Sequence, residues 1–247
     1  MELLLILFAA GLTALMVATT VTAWICGRYA ISQGVDKSIV RTWFRRGVLL
    51  YLAEMPVNLL GLIVVALALP FRRETSEGMP FSQYPEFGAW RMIELPGWAK
   101  WWSNPCDGLI GDKRGWFGQW CVGHRIPYPS ALSMWWWAAV RNPANYFSRV
   151  TTAIDITGAT LKLLAGTSVY ASESDFGWHF IVAERDGKTL AALFQAAIPY
   201  PFFDRRYGFY CRFGYKIELD EPQTAENDLY DRLRSSVWKM SLWKDLT

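Results

Sequence analysis

Cys106, Cys121 and His124 are the closest grouping of metal-binding side chains in the sequence, with Asp107 and Asp112 near enough to join them. Thiolate and imidazole bind zinc well, and a site with an open position would make a hydrolytic centre. The gaps of 14 and then two residues match no finger spacing, and a fourth ligand has to be guessed. A Cys106–Cys121 disulfide in an oxidising compartment, or two free thiols, accounts for the same cysteines. The DGLIGD stretch, Asp107 to Asp112, sets two carboxylates around glycines as some calcium loops do, but without EF-hand spacing. Asp side chains bonding local backbone in a turn are the simpler account. The expectation is therefore no cofactor and no bound metal.

Other chemistry is sparse. His179 falls in an alternating stretch with no acid or nucleophile beside it in sequence. Cys211 falls on the apolar side of a strand pattern, where it would pack as a small hydrophobe. There is no Gly-rich phosphate loop, nucleophile elbow or HExxH. A non-enzymatic protein is the expectation.

The elements around these residues begin with two apolar stretches. Leu3 to Gly27 carries no charged side chain, and neither does Met55 to Phe71. A bilayer core takes roughly 20 residues of apolar helix, about 17 at the least. The first run exceeds a signal-peptide core and has Glu2 but no Lys or Arg ahead of it, which favours a retained anchor. All five basic residues of the first 71 (Arg28, Lys37, Arg41, Arg45 and Arg46) lie between the two runs. The positive-inside rule puts that linker in the cytoplasm and, with two spans, the C-terminal domain outside. Residues 72–247 hold 20 basic and 19 acidic side chains, so the footprint of a nucleic-acid binder is absent.

Within the linker, residues 36–53 read as an amphipathic helix lying on the membrane, capped by Asp36 or Ser38, with Arg41, Trp43, Arg45, Arg46 and Glu54 at the membrane surface. Val40, Trp43, Phe44, Val48 and Tyr51 share one face, while Arg41, Arg45 and Arg46 are available to lipid head groups. The alternative is the basic end of a spanning helix. Glu54 is the one ionisable residue that could lie at membrane depth, a functional candidate by default. Alternatively Pro56, suited to a first helical turn, makes Glu54 an interfacial helix start.

Nine of the 14 tryptophans fall between Trp90 and Trp137, in a glycine-broken region suited to core packing, the bilayer interface or a carbohydrate surface. Ser130 to Val140 is a further apolar helix, too short to span. Beyond residue 155 the period becomes two. Tyr207 to Leu219 alternates, Trp178–Glu184 and Thr189–Gln195 flank an Asp-Gly turn, and another strand falls within Leu161–Tyr170. Thr224 could cap a final helix with Leu229, Leu233 and Val237 inward. The chain thus reads as an α+β membrane protein in three parts. A helical hairpin with two transmembrane helices covers residues 1–71, and a Trp-rich irregular connector 72–150. An antiparallel β-domain with a C-terminal helix covers 151–247.

Met55–Phe71, NPCDGLIGDKRG (Asn104–Gly115), WWWAAVRNPANYFSR (Trp135–Arg149) and FGYKIEL (Phe213–Leu219) follow one another in order. Together they resemble a family of uncharacterised tailed-bacteriophage proteins with an apolar leader, a DG turn, an RNPxNxF motif and a late GWK- or GYK-like strand. The sequence departs from that pattern in its extra amino-terminal anchor and in Tyr215 for Trp. The resemblance implies a virus-encoded protein and carries no activity. Arg141, Asn142, Pro143 and Asn145 of the RNPxNxF motif read as a structured corner, since Pro143 holds Asn142 extended and the Asn side chains can bond backbone. Arg141 could pair with Asp107 or Asp112, and a binding site is the alternative reading.

The functional expectation is a membrane-anchored structural or interaction protein at the host inner membrane or in a virion assembly. Its partners would be the bilayer and a viral or host protein, not nucleic acid. The rivals are an agent that perturbs or blocks the host envelope and an extracytoplasmic metal-dependent hydrolase.

Overall fold

The structure, a computed structural model, describes residues 2–75, 92–103, 131–141, 143–167, 176–202, 207–219 and 233–246. They form two compact units, Met1–Ala53 with Ala153–Thr247, and Glu54–Thr152.

In the first unit, helix α1 (Glu2–Ser32) leads through an exposed turn at Gly34 to α2 (Lys37–Trp43). Asp36 caps α2 by accepting from the Ser38 backbone N–H at 2.7 Å. The helix continues as a π-helical turn, Phe44–Leu49, into α3 (Leu50–Ala68), which carries the chain into the second unit. A five-stranded antiparallel sheet completes the first unit, in the order β4 (Thr160–Gly166), β5 (Gly177–Arg185), β6 (Lys188–Pro199), β7 (Tyr207–Tyr215), β9 (Ser236–Asp245). Two short strands, β3 (Ile154–Asp155) and β8 (Leu233–Arg234), pair beside it. The β5–β6 turn has positive φ at both Asp186 (52°) and Gly187 (70°), the primed geometry that suits the strand twist.

Each face of the sheet buries a different set of residues. Phe180, Val182, Phe194, Ala196, Cys211 and Phe213 form one core with Ala23 and Ala30 of α1 and with Val40, Trp43 and Val48 of the linker. Ile181, Ala183, Ala191 and Leu193 cover the other face with Ile156 and Ile217.

This packing corrects several expectations. The linker's apolar stripe was assigned to lipid, but it lies on the sheet. Trp43 is buried and donates its indole N–H to the Phe213 carbonyl at 2.8 Å, so it is not a membrane-surface residue. Tyr51 packs on Trp238, ring centroids 5.3 Å apart. The linker and the sheet therefore belong to one core. Glu54 is not a helix start: it and Pro56 lie inside a helix that is continuous from Lys37.

The expected C-terminal helix is replaced, in its described part, by β8 and β9; residues 220–232 lie outside the described chain. The four-residue spacing of Leu229, Leu233 and Val237 coincides with a two-residue alternation of Trp238, Met240 and Leu242. Pairing with β7 decides the outcome, because β7 would otherwise present an unpaired edge.

In the second unit, α3 runs into a 3₁₀ turn (Leu69–Phe71) and a two-stranded ladder of β1 (Arg73–Thr75) with β2 (Met92–Glu94). A further 3₁₀ turn (Gly97–Trp102), α4 (Ala131–Trp136) with a π-helical extension to Arg141, and α5 (Asn145–Thr151) follow. Trp102 and Trp135 donate their indole N–H groups to the carbonyls of Val57 and Leu62 on α3, both at 2.8 Å. Gly61 makes room for the first: a Cβ there would lie 2.8 Å from the Trp102 ring. Small residues at the contact, Gly61 with Ala138 and Ala139, let the elements approach closely.

Candidate functional site

The outer face of the sheet carries a polar row that no single stretch of sequence reveals. His179 on β5 faces Gln195 on β6, which faces Arg212 on β7, which faces Lys239 on β9. Strand alternation puts all four on the face opposite Phe180, Phe194 and Cys211. His179 and Gln195 are buried, and the Arg212 guanidinium pairs with Glu218 at 2.9 Å. Tyr210, two residues before Arg212, lies under the ammonium groups of Lys244 (3.9 Å) and Lys239 (5.4 Å).

Burial, with the Arg212 charge second, pushes the His179 pKa down from 6.5 to about 4. A hydrogen bond with the Thr167 backbone opposes this in part. The imidazole is therefore neutral near pH 7. Burial also raises the Tyr210 phenol. The row supplies hydrogen bonds and positive charge, the chemistry of recognition; it lacks an aligned nucleophile and base.

On the inner face, three glycines form a slot for Trp43. A Cβ at Gly27 would lie 3.0 Å from its ring, one at Gly47 2.7 Å from the Gly214 Cα, and one at Gly214 2.2 Å from the Ala192 carbonyl oxygen. Gly214 also has φ +123°, which disfavours any side chain. Phe180 packs edge-on against the indole at 5.6 Å. Cys26 of α1 hydrogen-bonds the buried Cys211 thiol; that bond, then burial, raises the thiol's pKa. Cys211 packs in the core as its strand position implied.

In the second unit, Glu54 is buried and accepts a hydrogen bond from the Thr152 hydroxyl, whose oxygen also lies 3.0 Å from the Ser148 carbonyl. Asn58, one turn along α3, is buried too. Arg41, Arg45 and Arg46 are exposed on the linker. Arg141 ends the π-helical turn, Pro143 and Ala144 turn the chain, and Asn145 opens α5. Ala144 has a left-handed backbone, φ 47°. Asn142, Asp107, Asp112, Cys106, Cys121 and His124 lie outside the described residues. Among the described residues no group of three His, Cys, Asp or Glu is placed to hold a metal ion.

The threonines of α1 bond within their own helix. Thr19, Thr20 and Thr22 donate to their own helix, to the carbonyls of Leu15, Met16 and Ala18 at 2.7 to 2.8 Å.

A family profile described as a family of unknown function, DUF7338, matches residues 42–242, from the linker helix into β9. The chain belongs to that family. No curated protein and no solved structure matches it.

Proposed function

We propose that this member of DUF7338 is a membrane-anchored, non-enzymatic interaction protein. The observation that carries the reading is that α1 is apolar on both sides. Its Ala23 and Ala30 face the sheet, yet Leu15, Val17, Val21, Trp24 and Ile25 stay exposed on a helix of membrane-spanning composition. Lipid satisfies those side chains, and the threonines need nothing from it. On α3, Leu60, Ile63 and Leu67, and Phe71 in the 3₁₀ turn after it, keep similar exposed side chains.

Arg41, Arg45 and Arg46 hold the linker on the cytoplasmic side, and the sheet with it. The sheet then presents in the cytoplasm the accessible end of its polar row, Lys239 with the Arg212–Glu218 pair, as the surface for a protein partner. Assignment to a phage, with a role at the host inner membrane or in virion assembly, rests on the motif resemblance. Alkaline carbonate extraction of bacterial membranes tests the anchor: the tagged chain stays in the pellet. Release into the supernatant would remove the reading.

A further inference from the structure

We propose that Cys26 of α1, Cys211 of β7 and Met240 of β9 form a sulfur-only site that binds copper(I) where the helix docks on the sheet. The site is independent of the membrane reading. Cys26 and Cys211 lie on different elements, yet their thiols are hydrogen-bonded to each other. Met240 is the cross-strand partner of Cys211. The Cβ atoms of such a pair stand about 4.5–5.5 Å apart on one face of the sheet, and the flexible thioether arm can turn toward the thiols. Cys211 belongs to the core that holds Phe180, Phe194 and Phe213, and both Cys26 and Met240 pack against it.

The donor set selects the ion. Thiolate and thioether are soft ligands, the class that favours copper(I) over harder cations. Among the described residues no His, Asp or Glu joins the two cysteines as a third ligand, so the oxygen sets of calcium and magnesium are missing. Three sulfurs are also one short of the four ligands of a structural zinc. Cys211 is fully buried and Cys26 half-buried, so an ion enters past Cys26 and comes to rest in an apolar shell that keeps water out. Loading is ligand exchange: copper(I) accepts a lone pair from each sulfur, the thiol protons pass to solvent, and the metal keeps its oxidation state. The bound ion ties α1 to both β7 and β9.

The test is a competition titration of the purified full chain, in detergent and under nitrogen, between the protein and the coloured copper(I) chelator bicinchoninate. One copper(I) per chain should be withheld from the chelator. Cys26→Ser should weaken that retention at least about tenfold, and Met240→Leu, which nearly conserves volume, about tenfold. A Cys106→Ser/Cys121→Ser variant should hold copper as the parent chain does. Thermal unfolding without metal checks that each variant folds, and copper(I) should raise the midpoint of the parent but not of Cys26→Ser. No retained copper(I) overturns the site, as does retention that survives Cys26→Ser and is lost in Cys106→Ser/Cys121→Ser. Undiminished retention in Met240→Leu overturns the three-sulfur set, and zinc held as tightly as copper(I) contradicts the soft-donor argument.

Discussion

Replacing Gly47 by alanine inverts the usual effect of that substitution. In an open helical position alanine is more stable than glycine by about 1 kcal/mol, because glycine loses more backbone freedom. At Gly47 the new Cβ would lie 2.7 Å from the Gly214 Cα, where carbon atoms prefer about 3.5 to 4.0 Å. The atom in the way is backbone, so relief requires the helix to lift from β7. That lift loosens the Trp43 hydrogen bond to Phe213 and the core beneath it. Overpacking of this kind costs about 1–3 kcal/mol, which leaves a net loss of up to about 2 kcal/mol after the propensity gain. For a chain of this size that lowers the thermal midpoint by up to about 4–8 °C. Gly11→Ala is the control, since a Cβ there meets nothing within 4 Å; it should be neutral or slightly stabilising. Thermal unfolding in detergent, followed by intrinsic fluorescence, reads both. A midpoint raised by Gly47→Ala would refute the helix-on-strand contact.

Trp43→Phe keeps a ring in the slot but loses the donor to Phe213. We expect a loss of about 1–2 kcal/mol by the same assay, and no change would mean that the indole bond is not made. His179 has a folded pKa near 4 against an ordinary 6.5, so its neutral form is favoured by the fold. Its contribution is complete above pH 6.5 and is lost as pH falls from 6.5 through 4, about 3 kcal/mol in all. His179→Gln should flatten that part of the acid limb of stability, and an unchanged limb would contradict the buried neutral imidazole. Because the Cys26 and Cys211 thiols are hydrogen-bonded, oxidation with copper phenanthroline should join them as a disulfide detectable by mass spectrometry. Its absence would mean that α1 does not dock on the sheet at this position.

The strands were legible where local pattern and tertiary demand agree. The alternation from Tyr207 to Phe213 and the Asp186-Gly187 turn identify β5, β6 and β7 from the sequence. The linker stripe was legible as a stripe, but periodicity identifies an apolar face and not what covers it. Val40, Trp43 and Val48 suit lipid and a sheet equally well, and only the glycines at 47 and 214 reveal a close approach. The polar row depends on register. Counting back from the Asp-Gly turn sets His179 opposite Phe194, and the bulge between Ala183 and Glu184 moves it to Gln195. A one-residue bulge has no clear mark in this sequence, so His179 showed no partner there. The C-terminal strand was misread because β9 shows both periods over a short stretch, and its β7 partner is distant in sequence.

Sidedness tests the central claim most directly, that linker and sheet form one body on the cytoplasmic side. A biotin-acceptor peptide is placed in the exposed Gly34 turn or at the C-terminus, and a cytoplasmic biotin ligase is co-expressed. In carbonate-washed membranes both versions should be biotinylated to the same extent. Labelling of one and protection of the other would place a bilayer between residues that the structure packs into one core, and the account would fail.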